Sequence, residues 1–111
     1  MTDRLRRLDA LFAERVLGLD VATIEDEPEP HVWVDRDWIL LPHYTRSLDA
    51  AWEGARQYLQ FPIIEICLGK RGVHVEVERD GYEDMGDADH PAEALVLACL
   101  RACGVSEEEL K

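Results

Sequence analysis

The chain is short and strongly acidic. Its 111 residues are 47% hydrophobic, and 24 acidic residues oppose 12 basic ones, which gives a formal net charge of −12. This length predicts one compact domain with a core of its own. The sequence contains no run of about 18 apolar residues, so no transmembrane helix is predicted. A surface this acidic repels nucleic acid and anionic membranes and attracts basic protein surfaces, although acidic loops also serve solubility alone.

The cysteines and the N-terminal segment indicate a reducing, intracellular setting. Cys67, Cys99 and Cys103 cannot all pair, and none lies in a CxxC motif. Cys99 and Cys103 are one helical turn apart, which is compatible with a shared metal but is more typical of small core residues in an apolar helix. The N-terminal segment lacks the apolar stretch of a secretory signal. We expect neither a metal nor a cofactor.

The first half of the chain predicts a helix, two short strands and a second helix. Residues 20–31 predict a surface loop because they are acidic and contain two prolines. Residues 31–42 predict two extended segments around "DRD", without the glycine typical of a hairpin turn. Ser47 is predicted to cap a helix that stops before Pro62. A first helix over 3–17, ended by Gly18, has apolar residues at helical spacing: Leu5, Leu8, Leu11, Phe12, Val16 and Leu19.

The second half predicts a strand meander followed by a helix. Residues 63–82 contain the clearest strand pair, joined by "GKRG", and leave room for a third strand near Tyr82–Met85. A last helix has Pro91 at its favoured first position and Gly104 just beyond its end. The acidic tail, residues 106–111, is expected to fray. Together these elements predict an α+β fold, with one domain over residues 1–105 followed by that tail.

Three segments resemble a single protein family. "LDALFAERVLGL" (8–19), "PHYTRSLDAAWE" (42–53) and "AEALVLACLRACG" (92–104) are similar to the small phage-encoded proteins of the phage ABA-sandwich domain family, in the same order and at compatible spacing. Leu17 and Leu19 stand where methionine and tryptophan are common in that family. The resemblance implies a phage or prophage origin and a three-layer α/β/α sandwich, with helices on both faces of an antiparallel sheet. It implies no activity and no catalytic residue, because the family is largely of unknown function.

Two groups of residues are candidates for ligand chemistry. His74, Glu76 and Glu78 share one strand face with Glu65 nearby, an arrangement open to a divalent metal but equally expected of an ordinary polar sheet face. A pocket for a phosphate or nucleotide is the second candidate, since Arg46 lies beside a helix start. Its residues would be Arg36, Tyr44, Arg46 and Arg71. No phosphate-binding loop and no nucleophile motif occurs, so we expect no enzyme.

Composition and resemblance together favour a non-enzymatic interaction protein in the cytoplasm of a bacterial host. Its partner would be a host or phage protein with a basic surface, with no direct contact to nucleic acid or membrane, and an inhibitor of host defence is one form of this role. The acidic residues expected to form the interaction surface are Glu78, Asp80, Glu83, Asp84, Asp87 and Asp89. The alternatives are a sponge for a nucleotide signal and a structural accessory phage domain, which could be a homo-oligomer.

Overall fold

A computed structural model of the protein describes residues 3–23, 29–56, 63–79 and 81–111. The chain begins with helix α1 (Asp3–Leu11), which continues into a π-helical turn (Phe12–Val16). In that turn the N–H of Leu17 donates to the carbonyl oxygen of Phe12 at 3.2 Å. Gly18 follows with a φ of 68°, the left-handed conformation predicted for it. Leu8, Phe12 and Val16 are fully buried, so the predicted apolar face is confirmed as part of the core.

The next three strands form a small antiparallel sheet, called sheet A here. It consists of β1 (Val21–Thr23), β2 (Pro30–Val34) and β3 (Asp37–Leu40), in the order β1–β2–β3. Strand β1 lies in the segment predicted to be a surface loop; that prediction is wrong there, because residues 21–23 pair with residues 30–32. The two predicted strands at 31–42 are confirmed. Asp35 and Arg36 join them with φ values of 50° and 68°, a two-residue turn that needs no glycine.

Helix α2 (Leu48–Gly54) follows a turn over residues 44–46. As predicted, Ser47 caps it, since its hydroxyl oxygen accepts a hydrogen bond from the N–H of Ala50 at 3.3 Å. The helix packs closely on the π-helical turn: a Cβ added at Gly54 would lie 2.8 Å from the Phe12 ring. The end of the predicted helix at Tyr58 and Leu59, and the stop at Pro62, lie outside the described residues.

Sheet B contains β4 (Ile63–Gly69), β5 (Gly72–Arg79) and β6 (Tyr82–Ala88), all antiparallel. The predicted strand pair is confirmed, and the third strand is longer than expected. Val73, Val75 and Val77 are buried on the inner face, against which helix α3 (Pro91–Ala102) packs. The contact is closest at Gly86, where an added Cβ would collide with the carbonyl oxygen of Ala94 and lie 2.7 Å from the Ala98 nitrogen.

The acidic tail is ordered as helix α4 (Glu107–Leu110), which differs from the expected frayed end. Ser106 and Glu109 form a reciprocal capping box at its start. Leu110 is only 3% exposed, and Arg101 on α3 binds Glu107 at 2.8 Å. Burial of one leucine and a satisfied cap therefore hold a segment whose composition alone predicts disorder.

The α+β class is confirmed, but the single sheet of the predicted three-layer sandwich is not. The described strands form two separate sheets because the chain leaves β3 for a buried turn instead of pairing onward. Arg6 on α1 binds the carbonyl oxygens of Leu41 at 2.9 Å and Pro42 at 3.3 Å, which directs the chain toward α2. Among the described residues no helix is long and apolar enough to cross a membrane.

Candidate interaction surface

The outer face of sheet B, opposite α3, carries a concentration of carboxylates. Strand alternation directs five acidic side chains to this side: Glu65 from β4, Glu76 and Glu78 from β5, and Glu83 and Asp87 from β6. These five residues are exposed or half-buried, in contrast to the buried valines of the inner face. We call these five residues the acidic face. Its strands are spaced about 4.8 Å apart and same-face residues about 6.7 Å along a strand, so the charges lie close together on one side of the sheet.

Like charges lie directly opposite one another within the acidic face. Glu65 pairs with Glu76 across β4 and β5, and Glu78 pairs with Glu83 across β5 and β6. Carboxylates in such cross-strand positions repel and destabilise a sheet, whereas an acid opposite a base would stabilise it. Two such pairs on one face are therefore not explained by folding stability.

His74 is the basic residue held within the acidic face. Its Nδ1 lies 2.7 Å from an oxygen of Asp87, and its Nε2 lies 3.1 Å from an oxygen of Glu76. The hydrogen bond to Asp87, followed by that to Glu76, raises the pKa of His74 above its ordinary value, because both contacts favour the protonated ring. Among the described residues no group of three or more His, Cys, Asp or Glu side chains is placed to hold a metal ion.

The structure brings together only part of the predicted acidic surface. Glu78, Glu83 and Asp87 share the outer face, whereas Asp84 pairs with Val77 and therefore belongs to the inner side. Asp89 is exposed just beyond β6, and Asp80 lies outside the described residues. Glu65 and Glu76 were not assigned to this surface, although the alternation of β4 and β5 already placed them beside Glu78.

An open groove lies at the end of sheet B where β4 turns into β5. Its volume is about 620 Å³, and its lining includes Cys67, Lys70, Arg71, His74 and Asp89. Of the four residues predicted to bind a nucleotide, only Arg71 lines this groove. The groove mixes acidic and basic side chains, so it has no strong preference for an anion.

The other predicted ligand residues lie elsewhere in the fold. Arg36 is exposed in the β2–β3 turn, and Arg46 is exposed in the turn before α2. Tyr44 is 6% exposed and packs against Phe12, with ring centroids 4.7 Å apart. Burial, with a smaller contribution from the charge of Asp9, raises the pKa of Tyr44. Three arginines on three different turns and an inward-facing tyrosine do not outline one pocket.

Comparison with known proteins identifies a structural relative but no family. The sequence matches no family model and no curated protein. Among solved structures, a phage protein from Bacillus cereus ATCC 14579 is similar to this chain with a TM-score of 0.74 and 19% sequence identity. The similarity covers 96% of this chain and 92% of that protein. At this identity the likeness shows that the two proteins share a fold across nearly their whole length.

Proposed function

We propose that this protein is a phage- or prophage-encoded, non-enzymatic interaction protein that binds a basic surface of another protein through the acidic face. The observation that carries the proposal is the pairing of Glu65 with Glu76 and of Glu78 with Glu83. These pairs reduce folding stability. Surfaces that retain destabilising residues are typical of binding sites, where function and stability conflict.

The form of the acidic face supports a partner whose own surface binds nucleic acid. The closely spaced carboxylates of the acidic face present concentrated negative charge, as a phosphate backbone does, and the net charge of −12 would speed association with a basic groove. A host protein blocked in this way could not engage nucleic acid, which is the basis for an anti-defence role in the cytoplasm of the bacterial host.

A phage origin is supported by the similarity to the Bacillus cereus phage protein and by the resemblance of the three segments at 8–19, 42–53 and 92–104. Membership of the phage ABA-sandwich family, with its three-layer arrangement, is part of the same proposal. A nucleotide sponge is less favoured, because Arg36, Arg46 and Arg71 lie on separate turns. A structural accessory role is the outcome that remains if no partner is found.

The test compares two charge-neutralised variants of the tagged protein. Glu78→Gln/Glu83→Gln removes one like-charge pair from the acidic face. Glu14→Gln/Asp20→Asn removes the same charge from exposed positions in and after the π-helical turn and serves as the matched control. Each is used to capture proteins from nuclease-treated bacterial lysate at low and high salt, with identification by mass spectrometry.

We expect the wild-type protein and the control to retain one basic partner at low salt and to lose it at high salt. The Glu78→Gln/Glu83→Gln variant should bind the purified partner at least ten-fold more weakly, because the basic groups opposite lose their counter-charges. Equal affinity of the two variants, or no enriched partner at any salt concentration, would refute the proposed function.

A further inference from the structure

The hairpin formed by β2 and β3, in the other sheet from the acidic face, exposes several large apolar side chains. Trp33 and Trp38 face each other across the two strands, with ring centroids 5.3 Å apart, and are 40% and 38% exposed. Leu40 lies on the same side and is 58% exposed, while Ile39 on the opposite side is 41% exposed. Three of these four residues lie on the outer strand β3. Exposed apolar residues on an outer strand mark an interaction site, because soluble proteins normally protect such edges.

The backbone of β3 is available for pairing on this outer side. Strand β3 is last in the order β1–β2–β3, and no described strand pairs with its other edge. The N–H of Leu41 donates to Pro30 on β2 at 3.0 Å, so alternation directs the backbone groups of Trp38 and Leu40 away from β2. The N–H of Trp38 donates to the carboxylate of Asp37 at 2.8 Å. By the same alternation the carbonyl of Trp38 and both backbone groups of Leu40 point away from β2, toward the side on which no described strand pairs with β3.

Size and charge decide what can occupy this edge. A large side chain has a surface of roughly 150–250 Å². Because the four residues are between 38% and 58% exposed, together they offer roughly 300–400 Å² of accessible apolar surface. Two copies of the hairpin would then bury well under the ~1,200 Å² of a stable dimer. Each copy also carries the same net charge of −12, and the hairpin holds two acids and one base at Asp35, Arg36 and Asp37, which disfavours self-association. A short, basic, extended segment fits both the area and the charge.

We propose that β3 accepts an extended segment of a basic protein as an additional antiparallel or parallel strand of sheet A. The segment would hydrogen-bond to the backbone of Trp38 and Leu40, and its alternating side chains would contact the tryptophan pair on one side and Ile39 on the other. Lysine or arginine over the indole rings would add cation–π contacts. This inference rests on the proposed function for the basic character of the partner, but it assigns a different surface from the acidic face.

The test uses a fluorescently labelled seven-residue peptide of alternating lysine and valine, with blocked ends. Its binding to the protein is measured by fluorescence anisotropy. A second peptide with proline in place of valine keeps the charge but cannot form a paired strand. Leu40→Asn and Trp38→Ser alter the exposed hairpin without touching the core. Leu68→Asn is the matched control, because Leu68 is 80% exposed on β4, an outer strand of the other sheet.

We expect Leu40→Asn and Trp38→Ser to weaken binding of the lysine–valine peptide at least ten-fold, and Leu68→Asn to change it less than two-fold. The inference is overturned if the wild-type protein does not bind this peptide, if the proline peptide binds equally well, or if Leu68→Asn weakens binding as much as Leu40→Asn does.

The same assay separates this inference from the proposed function. Loss of peptide binding in Glu78→Gln/Glu83→Gln but not in Leu40→Asn would show that the acidic face binds the peptide, which supports the proposed function and overturns the inference. Loss in Leu40→Asn alone, together with unchanged capture of the native partner by the acidic-face variant, would retain the hairpin site and refute the acidic face.

Discussion

Asp9 on α1 accepts a hydrogen bond from the backbone N–H of Thr45 at 2.7 Å, across a separation of 36 residues. The same carboxylate binds Arg6 at 2.8 Å and is fully buried. Since Arg6 also holds the carbonyl oxygens of Leu41 and Pro42, this pair of residues fixes the turn before α2 onto α1. The contact therefore joins the first helix to the segment that connects sheet A with α2.

Asp9→Ala is expected to lower the free energy of unfolding by about 3 kcal/mol. The substitution leaves the Thr45 N–H buried without its acceptor and removes a buried counter-charge from Arg6. Urea denaturation followed by circular dichroism measures the loss. Glu14→Ala, on an exposed residue a few positions along, is the control and should stay within about 0.5 kcal/mol of wild type. A loss below about 1 kcal/mol in Asp9→Ala would contradict the role assigned to this carboxylate.

Thr45→Val is expected to maintain or raise stability, by up to about 1 kcal/mol. Thr45 is fully buried, and its Oγ1 has no hydrogen-bond partner among the described residues. Valine has nearly the same shape and removes an unsatisfied hydroxyl, whose burial is unfavourable. Thermal unfolding of the two proteins makes the comparison. A drop in Tm of several degrees would mean that the hydroxyl does have a partner in solution.

Gly86→Ala is expected to destabilise the protein by about 3 kcal/mol or more. A methyl group at this position would collide with the backbone of α3 at Ala94 and Ala98, and backbone atoms cannot move aside as a flexible side chain does. Gly69→Ala is the matched control in the same sheet, because its nearest neighbour would lie at an ordinary 3.7 Å. Chemical denaturation should separate the two variants clearly; equal stability would show that α3 does not sit directly on β6.

Glu83→Gln is expected to stabilise the protein by about 0.5 kcal/mol while weakening the binding of a basic partner. The substitution removes the repulsion with Glu78 on the facing strand. The gain should shrink as salt is added, because added ions screen exposed charges. Unfolding midpoints at low and high salt test this. A lower midpoint in Glu83→Gln at low salt would show that the like-charge pair does not oppose folding.

His74 is expected to make stability depend on pH. Hydrogen bonds to Asp87 and then Glu76 raise its folded-state pKa above the ordinary value of 6.5. Its contribution is therefore fully present below pH 6.5 and is lost as pH rises through the higher folded-state pKa. The stability difference between wild type and His74→Gln should thus be largest below about pH 6.5 and should decrease as the pH rises above that value. A difference that stays constant from about pH 5.5 to 9 would contradict this.

The local elements follow from short-range chemistry in the sequence. Ser47 before α2, Pro91 at the start of α3 and Gly18 after the first helix are caps and stops whose effect depends on near neighbours. Alternation along residues 63–79 likewise determined which side of each strand is polar. The Asp35–Arg36 turn was harder to predict, because two non-glycine residues adopt the left-handed conformation only within the completed hairpin.

By itself the sequence determined the first three helices, most of the strands and the acidic character of one sheet face, since these depend on residues a few positions apart. Only the tertiary structure decided that the described strands form two sheets, that Glu65 and Glu78 lie opposite other carboxylates, and that no other described strand pairs with the outer edge of the tryptophan hairpin. Strand partners, the burial of Asp9 and the docking of Leu110 depend on contacts between segments far apart in the chain. The free energy of each of these contacts depends on which distant segments meet in the folded protein, and no local sequence pattern specifies that.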